Sequence, residues 1–270
     1  MLKVIHRWIA VTASLIFASA SLAVFAAEPT QRQWTVGTDK REALIYVPES
    51  AKTTDSPVVF AFHGHGGNMR NASRMFPIHK LWPEAICVYM QGLNTPGQLT
   101  DPEGKKPGWQ KAAGDQNDRD LKFFDAVLES LHKECKVDDS KIFSTGHSNG
   151  GGFTYLLLAE RGDKLAAIAP SASAAARRFN DYKPKPTMHL MADNDPLVKS
   201  AWQVAMIDGL KKLNQCSMTA VPWADGACKL FKSPIGAPVV TMVHDQGHKF
   251  PDKGAELIVK FFKEYKTLAQ

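Results

Sequence analysis

The sequence predicts an α/β fold, a mostly parallel sheet covered by helices on both faces. Three observations predict it. Short runs that are apolar at every position (58–62, 86–90 and 165–170) or at most positions (187–191 and 238–243) read as buried central strands rather than half-exposed ones. They alternate with segments of helical spacing at 120–135, 153–161, 201–213 and 254–265. No internal repeat interrupts this order, and strands alternating with helices describe one layered sheet.

The chain begins with a segment outside that fold. Lys3, His6 and Arg7 precede an apolar stretch from Trp8 to Phe25 that ends in small residues around Ala26. This is the layout of a secretory signal peptide over 1–26, with cleavage before Ala27 or close to it. The competing reading, an uncleaved membrane anchor, is weakened by Ser14, Ser19 and Ser21. Residues 27–270 then form one catalytic-sized domain with ample length for a full core. The formal charge is +6, but the basic residues fall in scattered pairs such as Lys105-Lys106 and Lys211-Lys212. Such pairs read as solvated surface, with no pattern for nucleic acid and no membrane association once the leader is removed.

After a strand over 43–47, stopped by Pro48, the run at 58–62 opens into His63-Gly64-His65-Gly66-Gly67. A polar loop follows over 91–116. In the helix at 120–135, Leu121, Phe124, Leu128 and Leu131 share one stripe. A strand at 141–145 then runs into Gly146-His147-Ser148-Asn149-Gly150, and a helix follows directly. Only 174–186 separates the strands at 165–170 and 187–191, so the reading includes no large lid. Four cysteines in an exported chain permit disulfides. Cys216 and Cys228, flanking a predicted loop, are the expected pair, and closing so short a loop contributes about 3 kcal/mol. Cys87 reads as a buried thiol.

The chemistry-bearing residues fall at the carboxyl ends of the predicted strands, where ligands bind in such sheets. Gly-x-Ser-x-Gly between a strand and a helix is the layout of a nucleophile elbow, which makes Ser148 the candidate nucleophile. A serine hydroxyl needs a base. Among nine histidines, His248, in the loop after the last strand, fits that role best, with His244 in reserve. Asp195 is the expected acid that orients the base, with Asp193 as the alternative. The oxyanion donors are expected to be the backbone N–H groups of Asn149 and His65. A metal site opening at His63-x-His65 lacks the nearby Asp-His that would continue it, so neither a metal nor a cofactor is expected. Trp109, in the 91–116 loop, either stacks on a sugar or phenolic ring of the substrate or packs the loop down.

Together, the segments 57–64, 146–151, 195–198 and 247–251 resemble the landmarks of exported polyhydroxybutyrate depolymerase-like and feruloyl esterase-like α/β-hydrolases. The resemblance runs in order through nearly all of residues 27–270. It implies a serine esterase with Ser148, Asp195 and His248 as its triad, acting on an ester substrate that includes polymeric ones. A polyhydroxyalkanoate-type polyester or oligoester is the expected substrate, with a carbohydrate-acyl ester (feruloyl or acetyl-xylan) as the alternative. A non-catalytic binding protein on a hydrolase scaffold is the remote alternative. His65 stands where many such relatives carry Cys or Gly, and Phe250 where Trp is common.

Overall fold

The computed structural model describes residues 28–175 and 181–269. The predicted signal peptide therefore lies outside the described residues, as do 176–180 of the 174–186 connection. Ten strands form one sheet: β1 (Thr30–Val36), β2 (Asp39–Tyr46), β3 (Ser56–Phe62), β4 (Ile86–Met90), β7 (Val137–His147), β8 (Ala167–Ser171), β9 (Thr187–Ala192), β10 (Val221–Trp223), β11 (Asp225–Phe231) and β12 (Val239–His244). Their spatial order is β1-β2-β4-β3-β7-β8-β9-β12-β11-β10. The six central strands from β4 to β12 pair in parallel, and the two at each edge pair antiparallel. A separate two-stranded hairpin, β5 (Leu93–Asn94) with β6 (Pro107–Gly108), organises the long polar loop.

Alternation along the strands divides the core in two. Val58, Phe60 and Phe62 of β3 face one apolar cluster, while Val59 and Ala61 face the other. The first cluster is closed by α3 (Arg119–Glu134), α4 (Asn149–Arg161) and α5 (Ser200–Leu213). The second is closed by α1 (Met69–Met75), α2 (Ile78–Leu81) and α6 (Gly254–Glu264). The predicted stripe Leu121, Phe124, Leu128 and Leu131 is buried in the first. All ten strands thus belong to a sheet whose central members must be apolar on both sides, as the sequence runs imply.

Two expectations change. The 217–227 stretch, read as a loop, folds as part of the β10–β11 hairpin. The expected Cys216–Cys228 disulfide is absent. The sheet itself separates the two cysteines: Cys216 packs against the first cluster and Cys228 lies in the second. Bridging them would need Cα atoms within about 7 Å and facing Cβ vectors. Instead, the Cys216 thiol points to the Ala237 carbonyl at 3.8 Å.

Candidate active site

Ser148 sits between the end of β7 and the first residue of α4, with φ 57° and ψ −122°. That backbone state is costly for any residue with a Cβ, by about 1–3 kcal/mol. Close packing enforces it. A Cβ on Gly150 would lie 2.4 Å from the Phe62 carbonyl oxygen and 2.6 Å from that of His63. Helix α4 therefore approaches β3 more closely than any side chain permits, and the chain must turn sharply at Ser148.

The loops after β9 and β12 meet at this turn. The Ser148 hydroxyl lies 2.8 Å from His248 Nε2, and His248 Nδ1 lies 2.8 Å from Asp195 Oδ2. Asp195 is buried, and its Oδ1 accepts the Leu197 and Val198 amides at 2.8 and 2.9 Å. Burial pushes its carboxyl up, yet the bonds from His248 and these two amides outweigh burial and hold it below its ordinary value. With Nδ1–H donated to Asp195, Nε2 is left to accept from Ser148. The alternatives lie elsewhere. Asp193 is exposed, and His244 Nδ1 accepts the Gln246 amide at 3.2 Å.

Several supporting residues carried no recognisable signal in the sequence. Asn194 ties the two loops together, donating to the Asp245 carbonyl at 2.6 Å and accepting the Gly247 amide at 2.9 Å. Gln203 reaches Asp195 Oδ2 at 3.4 Å and the Val198 carbonyl at 2.8 Å from the buried side of α5. The His147 ring lies 5.1 Å from that of His248. Burial first, then the His248 charge, pushes His147 down to about 4, so it stays neutral beside the base at neutral pH.

The His63–Gly67 loop passes directly over the serine: a Cβ on Gly64 would lie 3.5 Å from Ser148 Cβ. Among the described residues, neither the His65 nor the Asn149 N–H is taken by a backbone carbonyl. The side chains of both residues are fastened to the 93–109 segment. His65 Nε2 bonds Asp101 Oδ2 at 3.0 Å, and Asp101 also accepts the Lys105 and Lys106 amides. The Asn149 side chain accepts the Trp109 N–H at 2.7 Å and donates to its carbonyl at 3.2 Å. His63 donates from Nδ1 to the Gly64 carbonyl and accepts the Gly92 amide on Nε2. Both of its nitrogens are therefore committed to backbone, and no metal-ligating cluster occurs among the described residues.

Trp109 does not line the cleft. It is fully buried, its indole N–H donates to the His63 carbonyl at 2.8 Å, and its ring stacks on Phe153 at 5.3 Å. Of the two readings open from the sequence, the structure leaves loop packing, because a ring with no exposed face cannot stack on a substrate. Trp109→Ala is accordingly expected to cost about 3–5 kcal/mol of stability, read as a lower urea midpoint at unchanged m-value. A loss under 1 kcal/mol would mean that the loop is anchored elsewhere.

No family model matches the chain. Feruloyl esterase C of Emericella nidulans is 24% identical over 227 residues, covering 82% of this chain and 81% of that protein. A probable feruloyl esterase C of Aspergillus clavatus is 29% identical over 146 residues, 52% of this chain, and that match spans about half (49%) of the relative's length. Among solved structures, the acetyl xylan esterase from Aspergillus awamori superposes with a TM-score of 0.66 at 13% identity, covering 87% of this chain and 99% of that one. The chain is an esterase-like α/β-hydrolase. As a carboxylic ester hydrolase it requires a nucleophile, a base and donors for a developing oxyanion. Ser148, His248 and the N–H groups of His65 and Asn149 are the candidates for those needs.

Proposed function

We propose that the chain is an exported carbohydrate-acyl esterase, removing feruloyl or acetyl groups from sugar hydroxyls through an acyl-enzyme. The observation that carries the reaction is the unbroken Ser148–His248–Asp195 chain of contacts, each link 2.8 Å long. Ser148 attacks the ester carbonyl as His248 Nε2 takes its proton. Asp195 holds the imidazole in the tautomer this requires and stabilises the imidazolium. The N–H groups of His65 and Asn149 receive the oxyanion. His248 returns the proton to the departing alcohol, and water repeats the sequence on the acyl group. No cofactor takes part.

Of the two ester classes expected from the sequence, the relatives named feruloyl esterase favour the carbohydrate-acyl class over polyhydroxyalkanoate. The test is release of ferulate from methyl ferulate and of acetate from acetylated xylan by purified 27–270, beside hydroxybutyrate oligomers. Activity confined to the oligomers would overturn the carbohydrate reading and restore the polyester one.

The clamp on the 93–109 segment gives a second test. Asp101 lies outside bonding reach of a reacting ester in this scheme, yet it holds the ring of the residue whose amide meets the oxyanion. Burial pushes the Asp101 carboxyl up, but the bonds from His65 and the two amides outweigh it and keep the carboxyl low. Asp101→Asn is therefore expected to lower kcat roughly 10–100-fold with little change in KM, since small misplacements of donors cost about that much. A rise in KM at constant kcat would assign Asp101 to ground-state binding.

A further inference from the structure

Three fully buried polar side chains stand behind Asp195 in the core: Gln203 of α5, His189 of β9 and Tyr155 of α4. They are linked one to the next. Gln203 Nε2 reaches Asp195 Oδ2 at 3.4 Å, Gln203 Oε1 lies 3.3 Å from His189 Nε2, and His189 Nδ1 lies 2.5 Å from the Tyr155 hydroxyl. With the two 2.8 Å links of Ser148, His248 and Asp195, hydrogen bonds run unbroken from Ser148 to Tyr155. Both ends stand on one element, because Tyr155 sits about two turns along the helix that Ser148 opens. We infer that Tyr155, His189 and Gln203 are positioning residues, a directional relay that fixes the Asp195 carboxylate from the core side and so sets the basicity of His248. The inference rests on the acyl-enzyme reading above.

The chemistry of the partners dictates which way each proton points. Asp195 Oδ2 and the Val198 carbonyl, 2.8 Å from Gln203 Nε2, can only accept. Gln203 must therefore turn its NH₂ to both, which leaves its oxygen facing His189. His189 Nε2 has to carry the ring proton to meet that oxygen, and the bare Nδ1 then accepts the Tyr155 O–H. Every donor in the relay thus points toward the carboxylate. The reverse sense would set an amide oxygen against Oδ2 and the Val198 carbonyl. Burial pushes His189 down to about 4 and pushes the Tyr155 hydroxyl up, so the relay itself carries no charge at neutral pH.

Packing alone does not call for this arrangement. Met188 and Leu190, on either side of His189 in β9, enter the second apolar cluster, and His189 faces α4 and α5. An apolar residue at 189 would fill that layer without the desolvation that a buried imidazole incurs. What the polar set supplies is control of one oxygen. The Gln203 N–H draws negative charge from Oδ2, the oxygen that His248 faces, and holds it in place. Without that donor Oδ2 stabilises the imidazolium more strongly, so His248 takes up its proton at a higher pH while its ring orientation loosens. The links through Gln203 are the long ones, which makes the effect graded rather than all-or-none.

The experiment follows the His248 ring by NMR through a pH titration, beside kcat, KM and the acid limb of kcat/KM for p-nitrophenyl acetate. The variants are Gln203→Met, His189→Leu, Tyr155→Phe and His189→Gln. In the first two, titration midpoint and acid limb are expected to move together to higher pH by about 0.5, with kcat down roughly 3–10-fold and KM unchanged. Tyr155→Phe, which removes one oxygen at the far end, is expected to move both the same way by less. His189→Gln keeps an N–H toward Gln203 and is expected to return most of the shift. The titratable side chains around His248 and Asp195, among them His147, His244, Asp193, Asp245 and Lys249, are unchanged in all four, so the movement reports the relay. Variants that melt earlier while midpoint and kcat stay at wild-type values would overturn the relay and leave a purely structural polar core. Should His189→Leu fail to fold, Tyr155→Phe and Gln203→Met decide. If the folded wild type cleaves no ester, the acyl-enzyme reading falls, and the NMR midpoint, which needs no turnover, still decides the relay.

Discussion

Replacing Ser148 by alanine is expected to abolish turnover, lowering kcat by about 10⁴–10⁶-fold, while the protein becomes no less stable. The hydroxyl that bonds His248 Nε2 at 2.8 Å is the atom that attacks in the proposed mechanism. Its removal leaves the base with nothing to activate, and only the residual contribution of binding and the oxyanion donors remains. Alanine keeps the Cβ, and with it the strained φ 57°, ψ −122° that the close approach of α4 to β3 imposes. Ser148→Gly removes the Cβ that makes this conformation costly and is expected to stabilise the fold by about 1–3 kcal/mol, less the lost hydrogen bond. Circular dichroism melts and hydrolysis of p-nitrophenyl acetate read both effects on the same samples. Comparable activity in wild type and Ser148→Ala would mean that another group is the nucleophile.

Asp195→Asn is expected to lower kcat by about 10⁴-fold near neutral pH with little change in KM. The reason is specific to this site. Oδ1 of Asp195 accepts two backbone amides, so an asparagine here must place its carbonyl oxygen toward Leu197 and Val198. Its amide NH₂ then faces His248 Nδ1, which has to accept rather than donate. The proton moves to Nε2, where it confronts the Ser148 hydroxyl and blocks general-base catalysis. The same substitution has a pH signature in stability. The folded-state pKa of Asp195 is depressed, so its contribution is fully present above the unfolded value of about 3.9 and is lost as pH falls through the lower folded value. The stability gap between wild type and Asp195→Asn is therefore expected to be larger at pH 7 than at pH 3 in urea unfolding. A gap that widens on acidification would contradict the assigned hydrogen bonding.

Much of this architecture was legible because its causes are local. Residues apolar at every position, such as 58–62 and 86–90, can only be satisfied between two covered faces, and they became β3 and β4. The helix stripe from Leu121 to Leu131 needed only 3.6-residue periodicity. Strand β1 was missed because Thr30–Val36 is largely polar and lies at the sheet edge, where pairing with β2 rather than burial holds it. The β10–β11 hairpin was missed for a similar reason: Pro222 and Gly226 read as loop punctuation, and the sheet edge tolerates both.

The site divides along the same line. The order of Ser148, Asp195 and His248 after successive strands is a property of the chain, and strand order alone brings those loops to one end of a parallel sheet. Which of two aspartates and two histidines meet is decided by packing, because Asp193 and Asp195 differ by two residues in sequence but one is exposed and the other buried. Tertiary structure alone also decided that Trp109 is core rather than cleft wall, and that Cys216 and Cys228 lie on opposite faces of the sheet. It alone recruited Asp101 and Asn194 to hold the loops on which the candidate groups stand. Local periodicity fixes what a segment is, through the hydrogen bonds and burial it can satisfy by itself. Which side chain finds which partner depends on distances between segments remote in sequence, and those exist only once the sheet has closed its two cores.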